Sequence, residues 1–237
     1  MPTVLAISAH AADYVWRAGG TLARYAQDGH PVHVIVLSFG ERGESAELWK
    51  KPGQTEEQVK EIRRSETLAA AEVLGVSVEC WDWGDYPIRI DEARMEALVL
   101  AIRRIRPQII ITHGYRDPFN PDHPDVSEAT RRAAVLAQSP GYRPDVPTCP
   151  PIAMFGYEPH QPELCDFKPD VIVDITPVFE RKRKAMECFV TQQHLLEYYT
   201  MRAHIRGNHA RRISGNNTYR YAEAFERFFP YVGGELR

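Results

Sequence analysis

Val4-Leu-Ala-Ile-Ser-Ala-His10-Ala11-Ala12-Asp13-Tyr14-Val-Trp-Arg17-Ala-Gly19-Gly20-Thr21-Leu22 is the stretch that decides the fold. An apolar, β-prone run opens the chain and ends at a histidine. An aspartate follows three positions later, and two glycines then lead into an amphipathic helix. This is how the first βα turn of an open α/β sheet reads, and such sheets bind ligands at the carboxyl ends of their strands. His10 and Asp13 then stand at the mouth of the crevice, a metal-ligand pair by type.

Working outward, strand and helix signals alternate through the first half. Thr3 to Ser8 is a strand, and Gly20 to Asp28 a helix closed by Gly29. Val32 to Phe39 is almost wholly apolar or β-branched, as a strand buried on both faces should be. Gly40 to Ser45 is a loop at its carboxyl end. Thr55 and Gln58 make a capping box for a helix running to Leu74 and stopped by Gly75. Ser77 to Trp81 is a third strand, Asp91 to about Arg106 a helix, and Gln108 to Thr112 a fourth strand. Residues 113 to 125 form a Pro/Asp/Asn-rich loop before a helix to about Gln138.

From about residue 139 the pattern is less regular. Strands are expected at Ile152 to Tyr157 and Val171 to Ile175, with helices at Pro177 to Cys188 and Gln192 to Arg206. A Gly/Asn/Arg-rich loop from Arg206 to Thr218 precedes a last short helix around Tyr221 to Phe225. No repeat or linker divides the chain. The expectation is one domain over residues 1–237, an α/β fold with a mostly parallel sheet flanked by helices.

Composition excludes several function classes. Of 237 residues 43% are apolar, enough for one well-packed core, and the net charge of −3 leaves no basic footprint for nucleic acid or anionic membrane. The basic run Arg181 to Lys184 lies beside Glu180 and Glu187 and reads as a solvated helix face. No apolar stretch approaches the ~18 residues of a membrane span. Cys80, Cys149, Cys165 and Cys188 are far apart, without C-x-x-C spacing, and read as reduced thiols of a cytoplasmic protein.

The run Asp117-Pro-Phe-Asn120-Pro121-Asp122-His123-Pro124-Asp125 adds another histidine, placed just before a helix and flanked by backbone-fixing prolines. With His10 and Asp13 it makes two His and one carboxylate with open positions. That is the donor count of a catalytic zinc or facial-triad iron site. His30, His33, His194, His204 and His209 read as ordinary core or surface residues.

Strand, His-x-x-Asp, Gly-Gly-Thr-Leu and a later Asn-Pro-Asp-His, in that order, resemble the zinc-dependent PIG-L (LmbE-like) N-acetylglucosaminyl deacetylases. Arg63-Arg64-Ser-Glu66, Ala70-Ala71, Leu74-Gly75 and Tyr221-Ala-Glu-Ala-Phe225 extend the likeness over nearly the whole chain. The resemblance implies a Rossmann-like sheet, and His10, Asp13 and His123 as ligands of a divalent metal: Zn²⁺ first, Fe²⁺ or Co²⁺ as alternatives.

The departure from that pattern is informative. The deacetylases carry His-Pro-Asp-Asp, whose first Asp is the general base. Ala11 and Ala12 stand in the matching positions, and Asn120 stands where many members have a second histidine. A metal alone lowers the pKa of bound water to about 7, but losing a positioned base removes a factor of ~10² to 10⁴.

His-Ala-Ala-Asp, Ser38 to Trp49 and Glu158-Pro159-His160-Gln161-Pro162-Glu163 together resemble the 4-oxalomesaconate (4-carboxy-2-hydroxymuconate) hydratase branch of the family. That branch acts in gallate and protocatechuate catabolism. What this resemblance implies is a hydro-lyase adding water to a carbon–carbon double bond to give 4-carboxy-4-hydroxy-2-oxoadipate.

Such chemistry needs an electrophile for the developing enolate and a proton carrier. Glu44 is the first choice for the carrier, Glu47 the second and Glu41 the third. A tricarboxylate substrate also needs cations. Arg17, Arg42, Arg89 and Arg116 are the candidates, with His160 as a substrate or acid–base residue and Arg211 and Arg212 of lower weight. Two other readings stand beside this one: an amide deacetylase with Glu44 or Glu47 as relocated base, and a non-catalytic binding relative. Relatives of this kind often assemble, so a homo-oligomer is also expected.

Overall fold

The computed structural model describes residues 1–234, and one seven-stranded sheet runs through it in the order β3-β2-β1-β4-β5-β7-β6. The elements are β1 (Val4–Ser8), α1 (Asp13–Gln27), β2 (Val32–Val36), α2 (Ala46–Trp49), α3 (Glu56–Leu74), β3 (Ser77–Cys80) and α4 (Glu92–Ile105). They continue with β4 (Ile109–Thr112), α5 (Asp122–Gln138), β5 (Ala153–Tyr157), β6 (Val171–Asp174), α6 (Phe179–Glu187), α7 (Leu196–Ser214) and β7 (Ala222–Arg227). The strands β3-β2-β1-β4-β5 pair in parallel, while β7 runs antiparallel between β5 and β6. Apolar clusters cover both faces, one around α1, α3 and α6 and one around α4 and α5. Double-sided cover is why β1 and β2 read as unbroken apolar runs.

Strand order reverses between β1 and β4. The loops after β1, β2, β4 and β5 therefore open on one edge around that switch point, which is where open α/β sheets hold ligands. None of the helices among the described residues is long and apolar enough to cross a membrane.

Four elements differ from the sequence expectation. The first helix begins at Asp13, not Gly20, and the two glycines lie inside it. Gly20 is there for close packing: a Cβ would sit 2.6 Å from the Ile175 side chain. Helix α5 begins at Asp122, so His123 lies in its first turn, not before it. Helix α7 runs on to Ser214 through the stretch expected to be a loop. Tyr221 to Phe225 does not form a helix, because Ala222–Arg227 is the strand β7. Ala and Glu favour helices, but pairing with β5 and β6 overrides that preference.

A buried ion pair enters the middle of α1. Lys182 of α6 donates to the Trp16 carbonyl (2.9 Å) and to Glu223 of β7 (2.6 Å). The Glu223 carboxylate in turn accepts from the N–H groups of Gly20 (2.9 Å) and Thr21 (2.7 Å). A helix ordinarily bonds those groups internally, to Trp16 and Arg17. The first turns of α1 are thereby gripped by residues from the far end of the chain.

Candidate metal centre and active-site cavity

The β1–α1 turn sets the first two donors. His10 N–H donates to Asp13 Oδ2 at 2.8 Å, which closes the turn and aims the carboxylate. The loop after β2 carries Glu44 to the same point, and α5 delivers His123. One ligand atom each from His10, Asp13, Glu44 and His123 lies within 4.8 Å of every other. His10 Nδ1 is 3.3 Å from His123 Nε2, 3.2 Å from Glu44 Oε1 and 3.4 Å from Asp13 Oδ2.

The outward nitrogens of the two imidazoles are held by carboxylates. His10 Nε2 meets Asp122 Oδ2 at 3.2 Å, and His123 Nδ1 meets Asp117 Oδ2 at 2.8 Å. Such partners fix the ring orientation and the inward lone pair of a metal-binding imidazole. Asp122 is itself anchored by the N–H groups of Tyr86 (2.9 Å) and Ile88 (2.8 Å). The loop bearing Glu44 is pinned to the same turn, since Asp85 accepts from Arg42 N–H (2.9 Å) and Gly43 N–H (2.7 Å). Gly43 permits this approach: a Cβ there would lie 2.1 Å from the Tyr86 ring.

Electrostatics agree with a cation site. Burial alone would lower the His10 pKa, but Glu44, Asp122 and Asp13 outweigh it and hold it well above the ordinary value. Burial would raise Asp13, yet His113, His123 and His10 hold it well below the carboxylate range. His113, buried beneath the cluster, is pushed down to about 3 by desolvation and by neighbouring His123. Its ring stacks on His123 at 4.0 Å, and Nε2 accepts from Ala9 N–H at 3.0 Å. Asp13 and Glu44 face the two buried imidazoles as the donor set while Asp117 and Asp122 back the rings, four carboxylates with more negative charge than the adjacent Arg17 balances. The set fits a divalent metal.

The cluster lies beside a cavity of about 410 Å³. Of the residues singled out in the sequence, Asp13, Arg17, Glu44, Glu47, His123 and His160 line it. Glu47 stands at the rim with its side chain 55% exposed and paired with Lys50. His160 is half-buried, its Nδ1 3.4 Å from the Tyr199 hydroxyl, and burial followed by Arg17 and Arg202 lowers its pKa.

Three of the arginines expected to bind substrate, Arg42, Arg89 and Arg116, do not line the cavity. Arg42 pairs with Glu56 at 3.2 Å, Arg89 is exposed, and Arg116 pairs with Asp166 on the surface. Glu41, the third-ranked glutamate, is buried 3.8 Å from Lys60 and does not line the cavity. Ala12 is wholly buried in the apolar cluster and offers no group to the site.

Residues the sequence reading gave no role also gather here: Asp117, Asp122, His113, Gln192 and Tyr199, together with His194, which it treated as ordinary. The requirement that a ligating imidazole have an oxygen partner was the available signal for the two aspartates. For Asp122 the partner lies 112 residues away.

The sequence model of the family described as PIG-L, GlcNAc-PI de-N-acetylase, matches residues 5–134. The chain is 46% identical, over 99% of its length and 92% of the relative's, to a 4-oxalmesaconate hydratase of Pseudomonas putida KT2440. The crystal structure of GalB, the 4-carboxy-2-hydroxymuconate hydratase from P. putida KT2440, superposes with a TM-score of 0.97 at 44% identity over all of both chains. A 1D-myo-inositol 2-acetamido-2-deoxy-α-D-glucopyranoside deacetylase of Catenulispora acidiphila is 33% identical over 60% of this chain and 51% of its own. N,N'-diacetylchitobiose deacetylase from Pyrococcus horikoshii shares the fold, with a TM-score of 0.80 at 21% identity over 96% of this chain and 84% of its own. The chain belongs to the PIG-L family.

Proposed function

We propose that the protein is a metal-dependent hydro-lyase that adds water to 4-carboxy-2-hydroxymuconate (4-oxalomesaconate), giving 4-carboxy-4-hydroxy-2-oxoadipate. The observation that carries this reading is the full-length likeness to a hydratase of that substrate. The geometry is consistent with it: position 12 presents no carboxylate, while Glu44 enters the ligand cluster from a different loop. The deacetylase reading rests on relatives matching 59–80% of the chain at 33% identity or below, or sharing the fold alone.

His10, Asp13 and His123 would hold the metal, Zn²⁺ as first choice, with Fe²⁺ or Co²⁺ as alternatives that the same donors suit. A bound divalent ion supplies Lewis acidity toward the substrate's 2-oxo and carboxylate oxygens. Glu44, which lines the cavity beside the ligand cluster, is the proton carrier in this reading. Burial raises its pKa, but His10 and His123 hold it below the ordinary value, so it rests as a carboxylate ready to take a proton. His160, lowered by burial, rests neutral across the cavity and can exchange a proton with the Tyr199 hydroxyl or the substrate. Glu47, solvated and paired with Lys50, is less suited to carry protons at the reacting carbon. The setting would be cytoplasmic gallate or protocatechuate catabolism; four unpaired cysteines agree with a reducing compartment.

The test offers 4-carboxy-2-hydroxymuconate to purified protein loaded with Zn²⁺, Fe²⁺ or Co²⁺ and follows its ultraviolet absorbance. A deacetylation assay on N-acetylglucosamine runs in parallel. Decay of the chromophore without acetate release is expected; acetate release without hydration overturns the reading.

A further inference from the structure

Arg17 and Gln192 line the cavity but belong to neither the ligand cluster nor the proton carriers. Arg17 follows Asp13 by one helical turn, so both side chains lie on one face of α1. Its Nε is 3.4 Å from Asp13 Oδ1, and its side chain is only 8% exposed. Its two terminal nitrogens make no hydrogen bond among the described residues. Among the described residues the other buried Lys and Arg side chains are committed: Lys182 to Glu223, Arg63 to Glu66, and Arg103 to the carbonyls of Leu136, Ala137, Ser139, Arg143 and Val146. The Arg17 guanidinium fork therefore meets the cavity without a protein acceptor, where an anion can complete it.

Gln192 supplies an independent observation. Its Oε1 accepts from Trp16 Nε1 at 3.3 Å and from an Arg63 Nη at 3.1 Å. Both partners can only donate, so the amide has one chemically sensible orientation. Its NH₂ group has no partner among the described residues, in a residue 6% exposed. Neither this nitrogen nor those of Arg17 is among the polar atoms sealed away from the cavity. Because Gln192 is tied to the Trp16 indole, the amide is anchored beside the residue that precedes Arg17 in α1.

We propose that the Arg17 guanidinium and the Gln192 NH₂ group form a seat beside the metal cluster for a substrate carboxylate that the metal does not hold, and so select a polyanionic acid over a neutral substrate. The seat rests on the hydratase reading for the identity of its ligand, and its test separates the two.

Two variants are compared with the wild type, all zinc-loaded: Arg17→Met, and Gln192→Glu. The second keeps an acceptor for Trp16 and Arg63 but puts a carboxylate oxygen where the NH₂ stood. The probe is trans-aconitate, a tricarboxylate titrated by tryptophan fluorescence, alongside kinetics with 4-carboxy-2-hydroxymuconate. Each variant should raise the trans-aconitate Kd and the KM by about 10- to 100-fold, as loss of a hydrogen bond to a charged group implies. Turnover number should stay within about threefold and zinc near one per chain. Arg17→Lys should recover part of the affinity.

Unchanged Kd and KM in Gln192→Glu overturn the seat, as does a fall in kcat at constant KM. If Arg17→Met sheds its zinc, Arg17 serves Asp13 and the seat is overturned for that residue. A wild type that binds trans-aconitate but does not hydrate the muconate overturns the hydratase reading alone. Hydration with unaffected variants overturns the seat alone.

Discussion

Asp122→Asn isolates the orientation of His10 without touching a metal donor. The wholly buried Asp122 carboxylate holds three donors: Ile88 N–H at 2.8 Å on Oδ1, and Tyr86 N–H at 2.9 Å and His10 Nε2 at 3.2 Å on Oδ2. An asparagine retains one oxygen. Placed to serve Tyr86 and His10, it turns its NH₂ against the Ile88 N–H and orphans a buried donor, at about 1–3 kcal/mol. The two surviving bonds lose their charge assistance, adding roughly 0.5–1.5 kcal/mol each, the usual difference between charged and neutral bonds. The sum is about 2–6 kcal/mol, a large share of a typical domain's ~5–15 kcal/mol. Metal affinity should fall about 10- to 100-fold, as for other partners of ligating imidazoles. Urea unfolding of the metal-free protein and competition with a chelating dye measure the two effects separately. A variant with the wild-type unfolding midpoint and zinc affinity would refute the reasoning, because neither the anchor nor the ring orientation would then depend on the carboxylate.

The Glu44→Ala variant should lose ~10²- to 10⁴-fold in hydration rate with zinc still near one per chain, whereas Glu47→Ala should stay within about twofold; reversed rates would reassign the proton carrier. Ala12→Asp should slow hydration by bringing a second carboxylate against the cluster, which steady-state kinetics would show. Metal removal by a chelator should abolish turnover and lower the thermal midpoint. The metal must displace the proton that Glu44, Asp122 and Asp13 hold on His10, so zinc affinity should rise with pH; a pH-independent affinity between pH 5 and 8 would contradict the arrangement. In sign, the raised His10 pKa stabilises the metal-free fold fully below its ordinary value of about 6.5, and that contribution fades as pH climbs through the raised one.

Local signals were legible where local physics decides. Thr55 and Gln58 do form a capping box, and Gly75 closes α3 in the left-handed conformation. The apolar runs of β1, β2 and β4 are the centre of the sheet. Misreadings fell where a distant partner overrides the neighbourhood. Ala-Glu-Ala-Phe has helical propensity, and only its place between β5 and β6 makes it a strand. Gly19 and Gly20 read as a helix entrance, whereas Gly20 is a contact point for Ile175. At the site, His10, Asp13 and His123 stood out by type and by family resemblance, and the structure brings them together with Glu44. Asp122 and Gln192 did not, because each acts through a partner more than a hundred residues away. Four arginines were indistinguishable in sequence, and burial alone separates Arg17 from the rest.

The Lys182–Glu223 pair that grips α1 also dictates an order of events during synthesis. His10, Asp13, Glu44 and His123 have all been synthesised once residue 134, the end of the matched family region, is made. The clamp on the helix that carries Asp13 cannot close until β7 has been translated and threaded between β5 and β6. A nascent chain therefore displays every donor about a hundred residues before it can hold them rigid. A product interrupted before β7 would carry Asp13 on a helix that lacks the Glu223 contacts to Gly20 and Thr21.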